Sequence, residues 1–231
     1  MSTPEIPAPQ PTLVAVAHGT RNGQGLRVLE ELVGLVRLGL AGVDVRLCYL
    51  DVATPSLTGA LSSVIGPAVV VPVLLSTGYH VKTDIPAAAA GRPGTVITAP
   101  IGPDERISAA ALDRLASVRG GQGTSGPLHV VAAGSSDPAA RQQLAEVAAH
   151  LNRATGRVVS LAQLTEPDPF AGVPRTAEVV NYLLAPGYFD NQLHAKAAGR
   201  LVGDPIGAHP LAAEVILARY RDAMRAVEPA R

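Results

Sequence analysis

The sequence has a single cysteine, no tryptophan, an aromatic share of only 3% and no excess of either charge. One thiol cannot build a disulfide framework. Cys48 lies inside an apolar stretch, residues 45–50, and reads as a small buried hydrophobe. With so few aromatics, Ala, Val and Leu must fill the core, and 47% hydrophobic residues in 231 suffice for one large or two small domains. Lys and Arg total 19, as do Asp and Glu, so the basic excess of a nucleic-acid binder is missing and no such partner is expected. No apolar run approaches the roughly 18 residues that span a bilayer, so no membrane partner is expected either. The loop after the first apolar run lacks GxGxxG, which argues against a dinucleotide site. Residues 1–12 carry Pro4, Pro7, Pro9 and Pro11 without the hydrophobic core of a signal peptide. They read as a disordered tail on a soluble, cytoplasmic protein.

What is present is an alternation of short apolar runs and amphipathic stretches. Strands are expected at 13–17, 43–50, 68–75 and 95–99. Leu26, Leu29, Val33, Val36 and Leu40 recur at helical spacing, and Ile107, Ala111, Leu115 and Val118 do the same. Thr54-Pro55 reads as a helix start, with Thr as N-cap and Pro at the first helical position. Residues 76–86 read as a loop. Such alternation implies right-handed crossovers and a parallel sheet covered on both faces.

Residues 119–127, RGGQGTSGP, are Gly-, Ser- and Pro-rich and read as a linker. The pattern then restarts. Strands are expected at 128–133, 157–161 and 179–184, and helices at 138–155 and 210–227. Four landmarks repeat in the same order: Gly19 with Gly134, Leu50-Asp51 with Leu164-Thr165, Gly78-Tyr79 with Gly187-Tyr188, and Pro100-Ile101-Gly102 with Pro205-Ile206-Gly207. The offset between partners shrinks steadily, as short loop deletions would produce. The fold class is therefore α/β: two similar half-domains, 13–118 and 128–231, each a four-stranded parallel sheet flanked by helices, related by a pseudo-two-fold.

The halves differ where chemistry is possible. His18 follows the first strand, Asp51 the second and His80 the third; their counterparts are Ala133, Thr165 and Phe189. Open parallel sheets bind ligands beyond the carboxyl ends of their strands, at the point where strand order reverses. A 2-1-3-4 order would bring His18 and His80 to that point, where neutral imidazoles can bind a divalent first-row metal. The remaining histidines show no such pairing, and His129 and His150 read as structural or solvated.

The segments AHGTRN (17–22), LDVATPSL (50–57) and GYHVKTDIP (78–86) resemble those of sirohydrochlorin cobaltochelatases and ferrochelatases, a branch of the class II chelatases, in the long, internally duplicated form. The resemblance implies an enzyme, a lyase that inserts Fe2+ or Co2+ into sirohydrochlorin, a carboxylate-rich tetrapyrrole, for siroheme or cobalamin synthesis. It implies no permanently bound cofactor, the metal being substrate. His18 and His80 become the metal-binding and proton-accepting pair, with Asp51 as a further catalytic residue where relatives often carry Glu. Substrate contacts are expected from Gly19, Thr20, Arg21, Gly78, Tyr79 and Lys82, and from Ser135, Ser136 and Asn191 of the second half; Arg92, Gln192 and Lys196 are further candidates. The chain is expected to be a monomer acting as a pseudo-dimer. Both roles of the histidines need neutral imidazole, so activity should fall at acidic pH. A non-catalytic tetrapyrrole or metal-ion carrier using the same cleft is the alternative. A histidine-phosphatase reading of HGTR fails because Ala17, not Arg, precedes the histidine.

Overall fold

A computed structural model describes residues 10–120, 126–135 and 137–227. Most of the expected tail and linker, residues 1–9 and 121–125, lie outside the described residues, as does Ser136. Thr12, at the end of the expected tail, already belongs to a strand. The chain runs β1 (Thr12–Ala17), α1 (Gly23–Gly39), β2 (Val45–Tyr49), α2 (Leu57–Ser63), β3 (Ala68–Pro72), a π-helical turn (His80–Asp84), α3 (Ile85–Ala89), β4 (Thr95–Ile97) and α4 (Glu105–Arg119). It continues through β5 (Leu128–Ala132), α5 (Pro138–Thr155), β6 (Val159–Gln163), β7 (Glu178–Tyr182), α6 (Tyr188–Lys196) and α7 (Pro210–Val227).

Two parallel sheets result, with strand orders β2-β1-β3-β4 and β6-β5-β7. The second sheet has three strands where the repeat led us to expect four. Its fourth place is held by Val202 alone, in a single parallel bridge to Val179. Helix α2 starts two residues later than Thr54-Pro55 suggests: Ser56 is the N-cap, its hydroxyl accepting from the Gly59 N–H. The segment between β6 and β7 has no helix equivalent to α2, and an outer cavity of about 570 Å³ lies beside His129 and Pro169 there.

Alternate residues of β1 explain its continuous apolar run. Leu13, Ala15 and Ala17 face a core shared by both halves, whereas Val14 and Val16 face Cys48 and the helices α2 and α3. Cys48 is buried, and burial pushes its thiol up to about 12. The shared core exists because the halves exchange their closing helices. Helix α4 packs on α5, β7 and α7, while α7 packs on α1, α4 and β3. Two arginines fasten the exchange reciprocally: Arg114 donates to the Ile206 carbonyl and Arg219 to the Pro100 carbonyl.

The repeat is also visible in backbone detail. Gly19 and Gly134 have φ of +98° and +111°, a region that favours glycine. A Cβ at Gly19 would lie 2.0 Å from the Asp51 carbonyl oxygen, and one at Gly134 2.4 Å from the Thr165 hydroxyl. In each half the chain after the first strand therefore presses against the turn after the second.

Candidate functional site

A cleft of about 820 Å³ lies between the halves, at the carboxyl ends of β1, β3, β5 and β7. The 2-1-3-4 order puts β1 beside β3, so the residues that follow these strands become neighbours. His18 extends directly from β1. His80 opens the π-helical turn, where the Ile85 N–H donates to the His80 carbonyl. Pro86 has no N–H to offer the α-helical register, which favours such a widened turn. The two imidazoles meet edge-on, with ring centroids 4.8 Å apart and planes at 88°. Both line the cleft. His80 is further held by Asp84, whose carboxylate oxygen lies 2.5 Å from Nδ1.

The remaining expected residues divide. Gly19, Thr20, Arg21, Gly78, Tyr79 and Ser135 line the cleft. Asp51 does not. It is exposed, and its carboxylate accepts the Val52 N–H at 2.7 Å, closing a tight turn in which Val52 has φ of +51°. Among the described residues no group of three His, Cys, Asp or Glu side chains could hold a metal, so the imidazoles stand as a pair. Lys82 is turned away from the cleft into an ion pair with Asp137, and the contact holds the Asp137 carboxyl below the usual range. Arg92 serves the fold instead, donating to the carbonyls of Leu61, Val64 and Gly66. Asn191, Gln192 and Lys196 lie on α6 but do not line the cleft. Among the described lining residues, Arg21 is the single Lys or Arg.

The two walls are chemically unlike. Ala133 and Phe189, the counterparts of His18 and His80, line the same cleft from the second half. Tyr79, Tyr188 and Phe189 present large exposed apolar surfaces there, Tyr188 and Phe189 meeting edge-on and Tyr79 lying against His80. Tyr182 lines the cleft from the end of β7; its hydroxyl is buried without a hydrogen-bond partner among the described residues, and burial pushes the phenol above its ordinary range. Helix α6 begins at Gly187 with no side-chain cap, so the N–H groups of its first turn are left to other partners.

Two edges of the cleft join the halves. At one, the Gln143 side chain on α5 accepts the Thr77 N–H at 2.8 Å and donates to the Thr77 hydroxyl at 2.5 Å, while Lys82 meets Asp137 nearby. At the other, α1 approaches the chain before α6 so closely that a Cβ on Gly25 would lie 2.5 Å from the Pro186 carbonyl oxygen. The sequence reading missed Gln143, Asp137 and Asp84. Reading 76–86 as a loop hid the one available signal, the i,i+4 spacing of His80 and Asp84.

Residues 12–118 match the family model CbiX. The matched segment is the N-terminal half-domain, a little under half of the full chain. A sirohydrochlorin ferrochelatase of Priestia megaterium is 27% identical over 146 residues, which is 58% of this chain and 54% of that protein. The chain thus aligns with about half the length of that curated relative. The fold matches the sirohydrochlorin chelatase SirB of Bacillus subtilis subspecies spizizenii, solved with cobalt, at a TM-score of 0.75 and 21% identity, covering 95% of this chain and 97% of that one. It also matches the CbiX described as the terminal enzyme of siroheme biosynthesis in denitrifying bacteria, at a TM-score of 0.69 and 23% identity, covering 90% and 98%. At these identities the structural matches establish the fold. The half that matches CbiX carries both imidazoles, and the C-terminal half, with Ala133 and Phe189 in their places, repeats the order of its first three strands.

Proposed function

We propose that this chain is a chelatase that inserts Fe2+ or Co2+ into sirohydrochlorin, acting in the cytoplasm as a single chain that supplies both walls of the cleft. The observation that carries this reading is the convergence of His18 and His80, with ring centroids 4.8 Å apart, inside a cleft lined by exposed aromatic rings. Its volume of about 820 Å³ is near the upper end of ordinary small-molecule pockets. Two imidazoles without a third protein ligand suit a metal that is cargo. A structural site would close the coordination sphere, whereas a pair leaves positions for water and then for ring nitrogens.

The chemistry follows from what metallation demands. A divalent ion must shed water, approach one face of the ring and replace two N–H protons. His18 and His80 would hold the ion through neutral ring nitrogens and accept protons once it leaves. Arg21 would meet a carboxylate of the substrate, helped by backbone N–H groups at Ser135 and the uncapped start of α6. The walls of Phe189 and Tyr188 would cover the ring on the side that has no imidazole. Asp51, exposed and bonded to its own turn, has no direct part in this scheme. The similar proteins fit the proposal: the Priestia megaterium relative is a sirohydrochlorin ferrochelatase, and SirB of Bacillus subtilis is a sirohydrochlorin chelatase solved with cobalt and with Fe3+.

Anaerobic insertion followed by absorbance, with the protein well below stoichiometric amounts, tests the proposal. Many turnovers per chain are expected for the native protein, with a loss of about 100-fold or more in His18→Ala and His80→Ala. Normal turnover in both variants would remove the mechanism. Tight binding without turnover would establish a carrier instead.

A further inference from the structure

We propose that Asp84 is a positioning residue that fixes the tautomer and direction of His80, so that Nε2 is presented bare to the incoming metal; the proposal rests on the reading of His18 and His80 as the metal pair. The two side chains lie one turn apart on the π-helical segment, with 2.5 Å between the Asp84 carboxylate and His80 Nδ1. A carboxylate only accepts, so Nδ1 carries the proton in this contact and Nε2 keeps its lone pair. Free imidazole has no such constraint. Pairing also pins the ring about its two side-chain torsions, and His18 fixes it from the other side by edge contact.

Among the described residues Asp84 has no other duty: it makes no side-chain cap to α3, and no third ligand group for a metal forms around it. It is also far from saturated by protein: its side chain is 41% exposed, against 36% for His80. A carboxylate behind a ligating imidazole raises the basicity of the ligand and holds it in place, and removing such a partner typically weakens metal binding by about 10–100-fold. In a transfer enzyme this has a second use. The anion stabilises the imidazole while it holds the cation without itself entering the coordination sphere, so the ion is not trapped by a third bond.

The test has a metal-free arm and a metal arm, each on the full chain. Long-range 1H–15N correlation of 15N-histidine-labelled protein reads the tautomer directly. His80 is expected as the Nδ1–H form in the native chain and as predominantly Nε2–H in Asp84→Ala. In the second arm, Co2+ titration under anaerobic conditions should show about 10–100-fold weaker binding for Asp84→Ala. Asp84→Asn, which keeps a neutral acceptor, should fall between the two. Melting temperature and sirohydrochlorin affinity should stay as in the native chain. An Nε2–H tautomer in the native protein would overturn the proposal, as would unchanged Co2+ affinity in Asp84→Ala or losses that merely track stability. Failure of the native chain to bind Co2+ despite the Nδ1–H tautomer would instead sink the metal-pair reading beneath it.

Discussion

His129 shows what a histidine does in this chain when it serves the fold. It is buried beneath Phe170, with Nε2 donating to the Pro169 carbonyl at 2.9 Å and Nδ1 2.8 Å from the Ser160 hydroxyl. Both nitrogens are spent, and neither faces the cleft. Burial, the largest influence, holds its imidazole below the ordinary histidine range, outweighing the hydrogen bond to Pro169, which acts the other way. The unfolded chain then binds a proton that the folded chain refuses. Stability is complete above about pH 6.5, the ordinary histidine value, and is lost as pH falls below it. His209, also held low by burial and by Arg114, adds in the same direction. Denaturant melts between pH 7.5 and 5 should show this decline, and His129→Leu should flatten it by one proton's worth. The same substitution should cost about 1–3 kcal/mol at neutral pH, because Ser160 and Pro169 lose their partner. An unchanged slope would mean that His129 titrates normally. At this scale the histidines were legible: His18 and His80 lie in the segments that follow neighbouring strands, whereas His129 lies within one. The cations were not. Nothing in the sequence tells that Lys82 finds Asp137 or that Arg92 caps α2, since both depend on contacts far along the chain.

Elements rather than single residues set the width of the cleft. The polar edge ties the segment carrying His80 to α5 through Thr77 and Gln143, and the tight edge seats α1 against the chain before α6. Loosening one should not mimic loosening the other. Gln143→Ala should raise hydrogen exchange over residues 77–82 and weaken metal binding several-fold. Gly25→Ala must push the Pro186 segment away, at a cost of about 1–3 kcal/mol. It should raise the KM for the tetrapyrrole while metal affinity stays the same. Steady-state kinetics with each substrate varied separately distinguishes the two outcomes; equal effects on both would mean that the edges do not act on separate substrates. Strand positions and the long helices followed from period and apolar runs, which are local properties. The π-helical turn and α6 did not, because they begin in Gly-containing segments without a side-chain cap to mark their start. The missing fourth strand of the second sheet was hidden for a related reason. Residues around Val202 keep the repeat's Pro-Ile-Gly landmark but have only one bridge to make.

At the scale of the molecule, duplication has been used to build one body with two unlike walls. Each closing helix covers the other half's elements, and one apolar core runs through both. Residues 12–118 alone would leave the sides of α1 and β3 that α7 covers open to water, and α4 without β7. The isolated half is therefore expected to pair with a second copy, exchanging α4, or to fail to melt cooperatively; light scattering with thermal denaturation reads both. A stable, cooperative monomer would show that the exchange is dispensable. The internal repeat was readable from four landmarks, but helix exchange was not, since sequence order says which helix closes a half and not which sheet it covers.

Anomalous diffraction at the cobalt edge from crystals of the native chain soaked in Co2+ tests the central claim most directly. The account predicts one peak per chain inside the cleft, about 2.0–2.2 Å from a ring nitrogen of both His18 and His80, a distance typical of first-row metal–imidazole bonds. No third protein side chain should be bonded to it. A peak held by other residues, or density elsewhere with the space between these two rings left empty, would contradict it.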